Sequence, residues 1–248
     1  MLAARLVNDL LDFCFPGVCT LCQHTAEPNA LLCDSCDEQL KTLERRPGCW
    51  KCAAPVASYD SPCPFCQGQG VPHYAQILRL GVYDEPLDQL IGQLKYAGRW
   101  SVGEALAKRL YERPHVKQLL EDCDVLVPVP LHFVRQFRRG YNQAAIVAKT
   151  LGKLAGKPVV NPLSRVRNTE SQTHLRGRRN RFKNLKDAFR LRRPHVVAGK
   201  RVVVIDDVTT TGATLQIVAR MLSKGRPADL AAIVLAVADP RGRQFSVV

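Results

Sequence analysis

The sequence has no apolar run approaching the roughly 18 to 20 residues that a membrane-spanning helix needs, so no membrane span is predicted. The first eleven residues also lack the pattern of a secretory signal, because Asn8 and Asp9 interrupt the apolar stretch. We interpret this segment as a short amphipathic helix and predict a cytoplasmic protein. Charged residues make up 23% of the chain, which argues against wholesale disorder.

Acidic residues are nearly missing from one part of the chain. Between Pro128 and Arg201 there are 19 lysines and arginines but only two acids, Glu170 and Asp187, a local charge of +17. The remainder has 17 basic and 20 acidic residues, so it carries −3 of the total of +14. Such a basic segment favours polyanionic partners, such as a pyrophosphate or a nucleic-acid backbone. A solvated basic surface is the alternative.

Eight of the ten cysteines form four C-x-x-C pairs, and the pattern of the first two pairs repeats 30 positions later. The paired residues are Cys19, Cys22, Cys33, Cys36, Cys49, Cys52, Cys63 and Cys66. A C-x-x-C turn lets two thiolates face one metal, and two such turns complete a tetrahedral zinc site with Zn–S near ~2.3 Å. We predict two structural zinc ions, whose binding would supply the folding free energy of this short polar module.

Other uses of these cysteines fit the pattern less well. Disulfides would require an export signal, a redox motif uses one pair beside a βαβ unit, and iron–sulfur ligands usually have other spacings. Consecutive ribbons, formed by the first four and then the last four cysteines, are favoured over a cross-braced arrangement. The remaining Cys14 and Cys123 are each predicted to be an ordinary buried thiol.

Beyond residue 70, predicted strands alternate with predicted helices. The strands are residues 77–83, 125–130, 201–205 and 230–237, and the first is mostly apolar with one charge, Arg79. The helices are residues 87–94, 102–111, 142–154 and 213–222. This order predicts an α/β domain, a mostly parallel sheet with helices on both faces. We expect a zinc-ribbon module over 1–70 and the α/β domain over 71–248.

Ligands of such sheets bind beyond the carboxyl ends of the strands, which selects the loops after Val129 and Ile205. The second loop reads Asp206, Asp207, Val208, Thr209, Thr210, Thr211, Gly212, Ala213, Thr214. Threonine hydroxyls and successive amides can donate to phosphate oxygens, and the following helix presents its positive end. The two carboxylates can accept hydrogen bonds from vicinal ribose hydroxyls and help hold Mg²⁺. A threonine-rich cap on an ordinary helix is the alternative.

The run from Val203 to Gly212 resembles the phosphoribosyl pyrophosphate (PRPP) signature of type I phosphoribosyltransferases. Together with the cysteine pairs, it makes the chain similar to the ComF/GntX branch of that superfamily. Residues 94–98, 128–132 with 138–143, and 165–172 with 179–180 share this likeness. The resemblance implies a type I phosphoribosyltransferase-like fold, binding of PRPP with magnesium, and an association with natural competence, DNA uptake and growth on exogenous DNA.

The resemblance also implies roles for single residues. Asp206 and Asp207 would bind the ribose hydroxyls, and residues 209–214 would surround the 5′-phosphate. The pyrophosphate side would be formed by Leu131, His132, Arg135 and Arg138. For residues 133–143, a solvated basic turn whose aromatic side chains join the core is the alternative.

An arginine-rich stretch with few apolar residues covers residues 161–184. We expect it to form a lid that closes over the ribose, because a long loop inside a compact domain is usually functional or disordered. Polar contacts would come from Thr169, Gln172, Arg176 and Arg179. A disordered polar loop is the alternative. No general base is assigned, since His132 and His174 are interpreted as polar contacts.

Two hypotheses account for these features. In the first, the protein is a phosphoribosyltransferase, and a nucleophile displaces Mg²⁺-bound pyrophosphate at C1 of the ribose. In the second, it is a single-stranded-DNA-binding module, whose 128–201 segment follows the strand while Phe133, Phe137 and Tyr141 stack on bases. The zinc ribbons would then dock a competence helicase or recombination partner. The hood segment that recognises the base in better-known phosphoribosyltransferases is not identifiable here, so the sequence does not indicate the acceptor substrate.

Overall fold

The computed structural model describes residues 17–27, 30–167 and 187–238. Its central sheet contains β1 (Gln76–Val82), β2 (Val125–Pro128), β5 (Arg201–Thr209) and β6 (Asp229–Val237). These four strands are parallel and lie in the order β1–β6–β5–β2. A separate antiparallel pair is formed by β3 (Leu163–Arg165) and β4 (Phe189–Leu191).

Seven helices lie within the described residues. They are α1 (Asp34–Arg45), α2 (Leu87–Tyr96), α3 (Trp100–Tyr111), α4 (Pro114–Asp122), α5 (Phe133–Arg139), α6 (Gln143–Ala155) and α7 (Ala213–Leu222). Short 3-10 turns occupy Pro194–Val196 and Ser223–Gly225. In this part of the chain no helix is both long enough and apolar enough to cross a membrane.

Apolar side chains cover both faces of the central sheet. In β5, Val203 and Ile205 pack into one buried cluster with residues of α2, α3 and α6, whereas Val202 and Val204 pack into another with residues of α7. β6 is buried from its second residue to its last. A strand buried on both faces reads as an uninterrupted apolar run, so these strands were visible in the sequence. The predicted α/β class is confirmed.

Several local predictions need correction. Helices α4 and α5 and the β3–β4 pair were not predicted. β5 continues to Thr209, so Asp206 and Asp207 belong to the strand and not to the loop after it. Residues 161–184 were expected to be a loop, yet their described part contains β3. The four residues predicted to make lid contacts, Thr169, Gln172, Arg176 and Arg179, lie outside the described residues, as do Cys14 and the segment predicted to form an N-terminal helix.

The tight contact between α6 and the edge of the sheet yields a stability prediction. A Cβ atom added to Gly152 in α6 would lie 2.7 Å from the carbonyl oxygen of Lys157 and 2.8 Å from Val159 Cγ2. Gly152→Ala should therefore lower the free energy of unfolding by about 1 to 3 kcal/mol, measured by urea denaturation. Gly92→Ala in α2 is the matched control, because its Cβ would meet nothing within 4 Å. It should be neutral or stabilising by about 0.5–1 kcal/mol, and equal losses would contradict the prediction.

Candidate functional site

The turn between β5 and α7 lies at the carboxyl edge of the parallel sheet. Gly212 is the N-cap of α7 and has a left-handed φ of 73°, a conformation that glycine adopts without steric cost. No side chain caps α7. The buried hydroxyl Oγ1 of Thr211 has no hydrogen-bond partner among the described residues. A helix start together with an unsatisfied hydroxyl is suited to receive an anion.

Two carboxylates precede this turn at the end of β5. Asp206 is 9% exposed, and its Oδ1 accepts the amide of Asp207 at 2.9 Å. Asp207 accepts the amide of Val208 on Oδ1 at 2.7 Å and binds the Lys95 ammonium of α2 on Oδ2 at 2.9 Å. These contacts fix the orientation of both carboxylates before any ligand arrives.

The pKa values of the two acids are shifted in opposite directions. Burial, reinforced by the charge of Asp207, raises the pKa of Asp206 to about 8. Burial would also raise the pKa of Asp207, but the charge and hydrogen bond of Lys95 hold it below its ordinary value. At neutral pH the pair therefore carries about one negative charge, which Lys95 balances.

The loop after β2 lies beside these acids. The amide of Val129 donates to the carbonyl of Ile205 at 2.9 Å, which places the loop next to the start of the acidic pair. His132 is 5% exposed, and its Nδ1 accepts the amide of Val134 at the start of α5. His132 therefore caps a helix and has a structural role. α5 has no buried residue, and Arg138 is exposed while Arg135 is half-buried.

Further cations surround the site. Arg165 of β3 forms an isolated parallel bridge with His132, and its guanidinium lies 5.3 Å over the centre of the Phe189 ring. Burial and the charge of Arg135 lower the pKa of Arg165 to about 10, so it stays charged at neutral pH. Arg139 lies 5.2 Å over the Tyr96 ring. The acids thus face a cationic rim, which favours an anionic ligand.

The eight paired cysteines form two separate clusters. Within each cluster all four sulfur atoms lie within 4.8 Å of one another. The sulfurs of Cys49 and Cys66 are 3.7 Å apart, and those of Cys52 and Cys63 are 3.6 Å apart. A tetrahedral site with Zn–S of ~2.3 Å separates its sulfurs by about 3.8 Å, so the residues fit zinc. Consecutive pairing, the first four and then the last four cysteines, is confirmed.

The second ribbon is tied to the sheet domain and reaches the turn between β5 and α7. The amide of Ile77 in β1 donates to the Trp50 carbonyl at 2.6 Å, and the amide of Val71 donates to the Lys51 carbonyl at 3.1 Å. Val71 packs beneath the turn, because a Cβ on Gly212 would lie 2.7 Å from Val71 Cγ2. The first ribbon contacts α2 instead, where Gln93 Nε2 donates to the Thr20 carbonyl at 2.9 Å.

Two family models match the chain. The phosphoribosyl transferase domain covers residues 103–246, and the double zinc ribbon domain covers residues 10–67. Competence protein F of Haemophilus influenzae is 34% identical over 78% of this chain and 84% of that protein. The DNA utilization protein YhgH of Salmonella typhimurium is 35% identical over 84% of this chain and 91% of that protein. The chain belongs to the ComF family.

Solved structures include that of HGPRT-ase from Leishmania tarentolae in complex with GMP, at 19% identity and a TM-score of 0.32. The match covers 65% of this chain and 74% of that one. The phosphoribosyltransferase-like fold and the N-terminal zinc-ribbon module of this ComF protein agree with the sequence prediction.

The structure brings together part of the predicted site of this ComF protein, whereas Arg138 is exposed on α5 and the four lid residues lie outside the described residues. Asp206, Asp207 and residues 209–214 adjoin the loop of Leu131 and His132, through the bond from Val129 to β5. Sequence reasoning assigned no role to Lys95 or Arg165, although both lie in stretches that resemble the family. In the sequence, each of the two is a single cation, Lys95 next to a buried leucine and Arg165 in a short strand. Neither pattern indicates a partner elsewhere in the chain.

Proposed function

We propose that this ComF protein binds PRPP together with Mg²⁺ at the carboxyl edge of its sheet. The observation that carries the proposal is the buried, unsatisfied Thr211 hydroxyl at the uncapped start of α7, a few residues after the buried Asp206 and the half-buried Asp207. Residues 209–214 would bind the 5′-phosphate through amides and hydroxyls. Asp206 and Asp207 would accept the ribose hydroxyls.

The pyrophosphate would lie toward the cationic rim. Arg135 and Arg138 of α5 and the adjoining residues Leu131 and His132 border this side, and Arg165 adds a half-buried guanidinium. Guanidinium groups match phosphate oxygens in geometry as well as in charge. The lid residues Thr169, Gln172, Arg176 and Arg179 belong to the same proposal, as the polar contacts that would cover the bound ribose.

The chemistry that this site suits is displacement of pyrophosphate at C1 of the ribose. Asp206 and Asp207 offer the hard oxygen ligands that Mg²⁺ takes, and PRPP itself supplies others. Mg²⁺, when bound, neutralises charge on the pyrophosphate leaving group. The chain's own residues position the sugar and stabilise the anion that leaves, and positioning of this kind accounts for much of the barrier lowering in such reactions.

A binding titration tests the sugar site. PRPP should bind the zinc-loaded protein with Mg²⁺ and more weakly without it. Asp206→Ala/Asp207→Ala should weaken binding at least about 100-fold, because two charge-assisted contacts are lost. Asp229→Ala is the control, since this exposed acid starts β6 at the opposite edge of the sheet, and it should bind normally. Equal binding by the double variant and the wild type would refute the proposed site.

Turnover has its own assay. Pure protein incubated with PRPP, Mg²⁺ and candidate acceptors should release pyrophosphate, and the double variant should not. If PRPP binds but none of the free bases, amines or single-stranded DNA tested as acceptors releases pyrophosphate, the protein is a binding module and the transferase half of the proposal fails.

The pKa of Asp206 gives a pH prediction. Because the neutral acid predominates below about pH 8, binding of Mg²⁺ and PRPP to the carboxylate form should release a proton near pH 7. The affinity for PRPP with Mg²⁺ should then rise with pH and level off above about pH 8. Calorimetry in two buffers of different ionisation enthalpy measures the proton release. Asp206→Asn should lose it, and an unchanged release in that variant would contradict the assignment.

A second candidate function, single-stranded DNA binding, rests on two exposed aromatic side chains. Phe133 is 73% exposed and Phe137 is 89% exposed, and they lie one helical turn apart on α5 beside Arg138. The phenol of Tyr141 instead donates to the Leu94 carbonyl at 2.7 Å, so Tyr141 is a weaker stacking candidate. The basic segment 128–201 would follow the strand, and the ribbons would dock a competence helicase or recombination partner.

DNA affinity should fall steeply with salt, and Phe133→Ser/Phe137→Ser should lower it about tenfold or more. Leu154→Ser, an exposed apolar position on α6, serves as the control and should bind like the wild type. A flat salt response, or no difference between the variants, would remove this candidate and leave the sugar site untouched.

A further inference from the structure

A separate cavity of about 250 Å³ lies where the second ribbon, the edge strand β1 and the start of α4 meet. Its wall includes Trp50, Tyr59, Arg79, Arg113 and His115. None of these residues takes part in the sugar-phosphate site or in the two cysteine clusters. The cavity is therefore a feature that the proposed function leaves unexplained.

Arg79 is the unexpected residue in this wall, because it is a charged side chain that is only 7% exposed. Its Nη2 donates to the carbonyl oxygens of Arg46 and Pro47, both at 3.1 Å. Its Nη1 is buried without a hydrogen-bond partner, and the described part of the chain offers it no salt bridge. Burial and the charge of Arg113 lower the pKa of Arg79 to about 10, so the guanidinium stays charged at neutral pH. A buried charge of this kind is costly unless something compensates it.

The aromatic side chains give the cavity a flat wall. Trp50 stacks on Tyr59 with ring centroids 4.9 Å apart, and the His115 ring meets Trp50 edge-on at 4.7 Å. The backbone of Trp50 is tied to β1, because its carbonyl accepts the Ile77 amide. A fixed aromatic wall favours a planar ligand that can pack against it.

A second guanidinium adds positive charge. Arg113 Nη2 donates to the Glu44 carbonyl at 2.7 Å, but the Glu44 carboxylate is 3.7 Å away and binds Arg109 more closely at 2.7 Å. The charge of Arg113 is thus only partly compensated. α4 starts at Pro114 without a side-chain cap, so the positive end of this helix also borders the cavity.

We propose that this cavity binds a small aromatic acid, a single planar ring that bears a carboxylate or a phosphate. Arg79 and Arg113 hold the oxyanion, whose geometry suits the guanidinium fork. The ring packs against Trp50 and Tyr59. The volume equals that of about eight water molecules at ~30 Å³ each, which suits one ring and its acid group.

The competing explanation is that Arg79 merely offsets the negative charge of the ribbon thiolates, to which Cys52 contributes. In that case the cavity would not bind added anions. A fluorescence titration separates the two explanations, because the chain has only two tryptophans. Trp100→Phe leaves Trp50 as the sole tryptophan reporter.

The zinc-loaded full chain carrying Trp100→Phe is titrated with benzoate, cyclohexanecarboxylate and inorganic phosphate. Benzoate should change Trp50 fluorescence saturably and raise Tm, and cyclohexanecarboxylate should bind more weakly because its ring is not planar. Arg79→Met should raise the benzoate Kd about 10- to 100-fold, as expected for a lost charge-assisted hydrogen bond. Arg220→Met, an exposed arginine on α7, is the control and should change nothing.

Two further variants keep the test decisive. If Arg79→Met does not fold, Arg113→Met should still weaken benzoate binding while all contacts of Arg79 remain. Asp206→Ala/Asp207→Ala should retain the benzoate response, which separates this cavity from the sugar site. Absence of a saturable response to all three probes, or a benzoate Kd that neither arginine variant changes, would overturn the proposal. A response to phosphate but not to benzoate would overturn the planar-ring ligand.

Discussion

Lys95→Met is expected to lower the free energy of unfolding by about 3 kcal/mol at pH 7.5, in urea denaturation followed by circular dichroism. The Lys95 and Asp207 side chains are only 17% and 19% exposed, and their charged atoms are 2.9 Å apart. Removing one partner of a mostly buried pair leaves the other charge uncompensated, which typically costs 3 to 5 kcal/mol. Residual exposure places this pair at the lower end of that range.

The sign of the pH dependence follows from the same pair. In the wild type the pKa of Asp207 is lowered, so its contribution is present above the unfolded-state value of about 4 and is lost as the pH falls through the folded value. The Lys95→Met deficit should therefore shrink as the pH falls from about 4 toward the lowered folded pKa of Asp207. Lys108→Met, an exposed lysine on α3, is the control.

Asp207→Asn added to Lys95→Met should recover part of the lost stability, because the uncompensated charge is removed. A deficit as large in Lys108→Met, or one that the second substitution leaves unchanged, would contradict a pairwise role for Lys95. PRPP titration of Lys95→Met then tests positioning, since a carboxylate that has lost its anchor should bind the sugar more weakly.

Cys63→Ala is expected to reduce the zinc content from two ions to one per chain and to unfold the second ribbon. Structural zinc contributes on the order of 10 kcal/mol in small ribbon modules, and a cluster of three thiolates cannot close the tetrahedral site. Zinc is counted by mass spectrometry of the metal, and ribbon folding by limited proteolysis. Cys123→Ala is the control, because this buried thiol lies outside both clusters and should leave two ions bound.

The two ribbons should differ in their effect on the proposed PRPP site. Cys33→Ala also removes one zinc, but the first ribbon contacts α2 through Thr20 and Gln93. The second ribbon leads to Val71 beneath Gly212. Cys63→Ala should therefore weaken PRPP binding more than Cys33→Ala does. Equal effects of the two variants would show that Val71 does not support the turn.

The parts of the fold that the sequence predicted are those whose pattern is local. β5 and β6 are apolar runs buried on both faces, and α7 was predicted at its observed bounds because its apolar residues recur at helical spacing. The cysteine clusters followed from spacing alone. The position of residues 206–214 at the carboxyl end of β5 was also predictable, because the apolar run of the strand precedes them directly.

What the sequence could not predict depends on contacts between distant residues or on missing periodicity. α5 has only seven residues, which is too short a window for helical periodicity to stand out. Only two residues separate α4 from α3, and α4 starts at Pro114. A proline at this point predicts the end of a helix as readily as the start of a new one. The approach of Lys95 to Asp207 and the burial of Arg79 join residues far apart in the chain, and no local pattern carries that information.

The packing of Val71 beneath Gly212 has a thermodynamic consequence. Coupling between two binding sites is reciprocal. If zinc in the second ribbon strengthens PRPP binding by some factor, PRPP must strengthen zinc binding there by the same factor. A chain saturated with PRPP should then release zinc to a chelator more reluctantly than the empty chain, and selectively from the second ribbon.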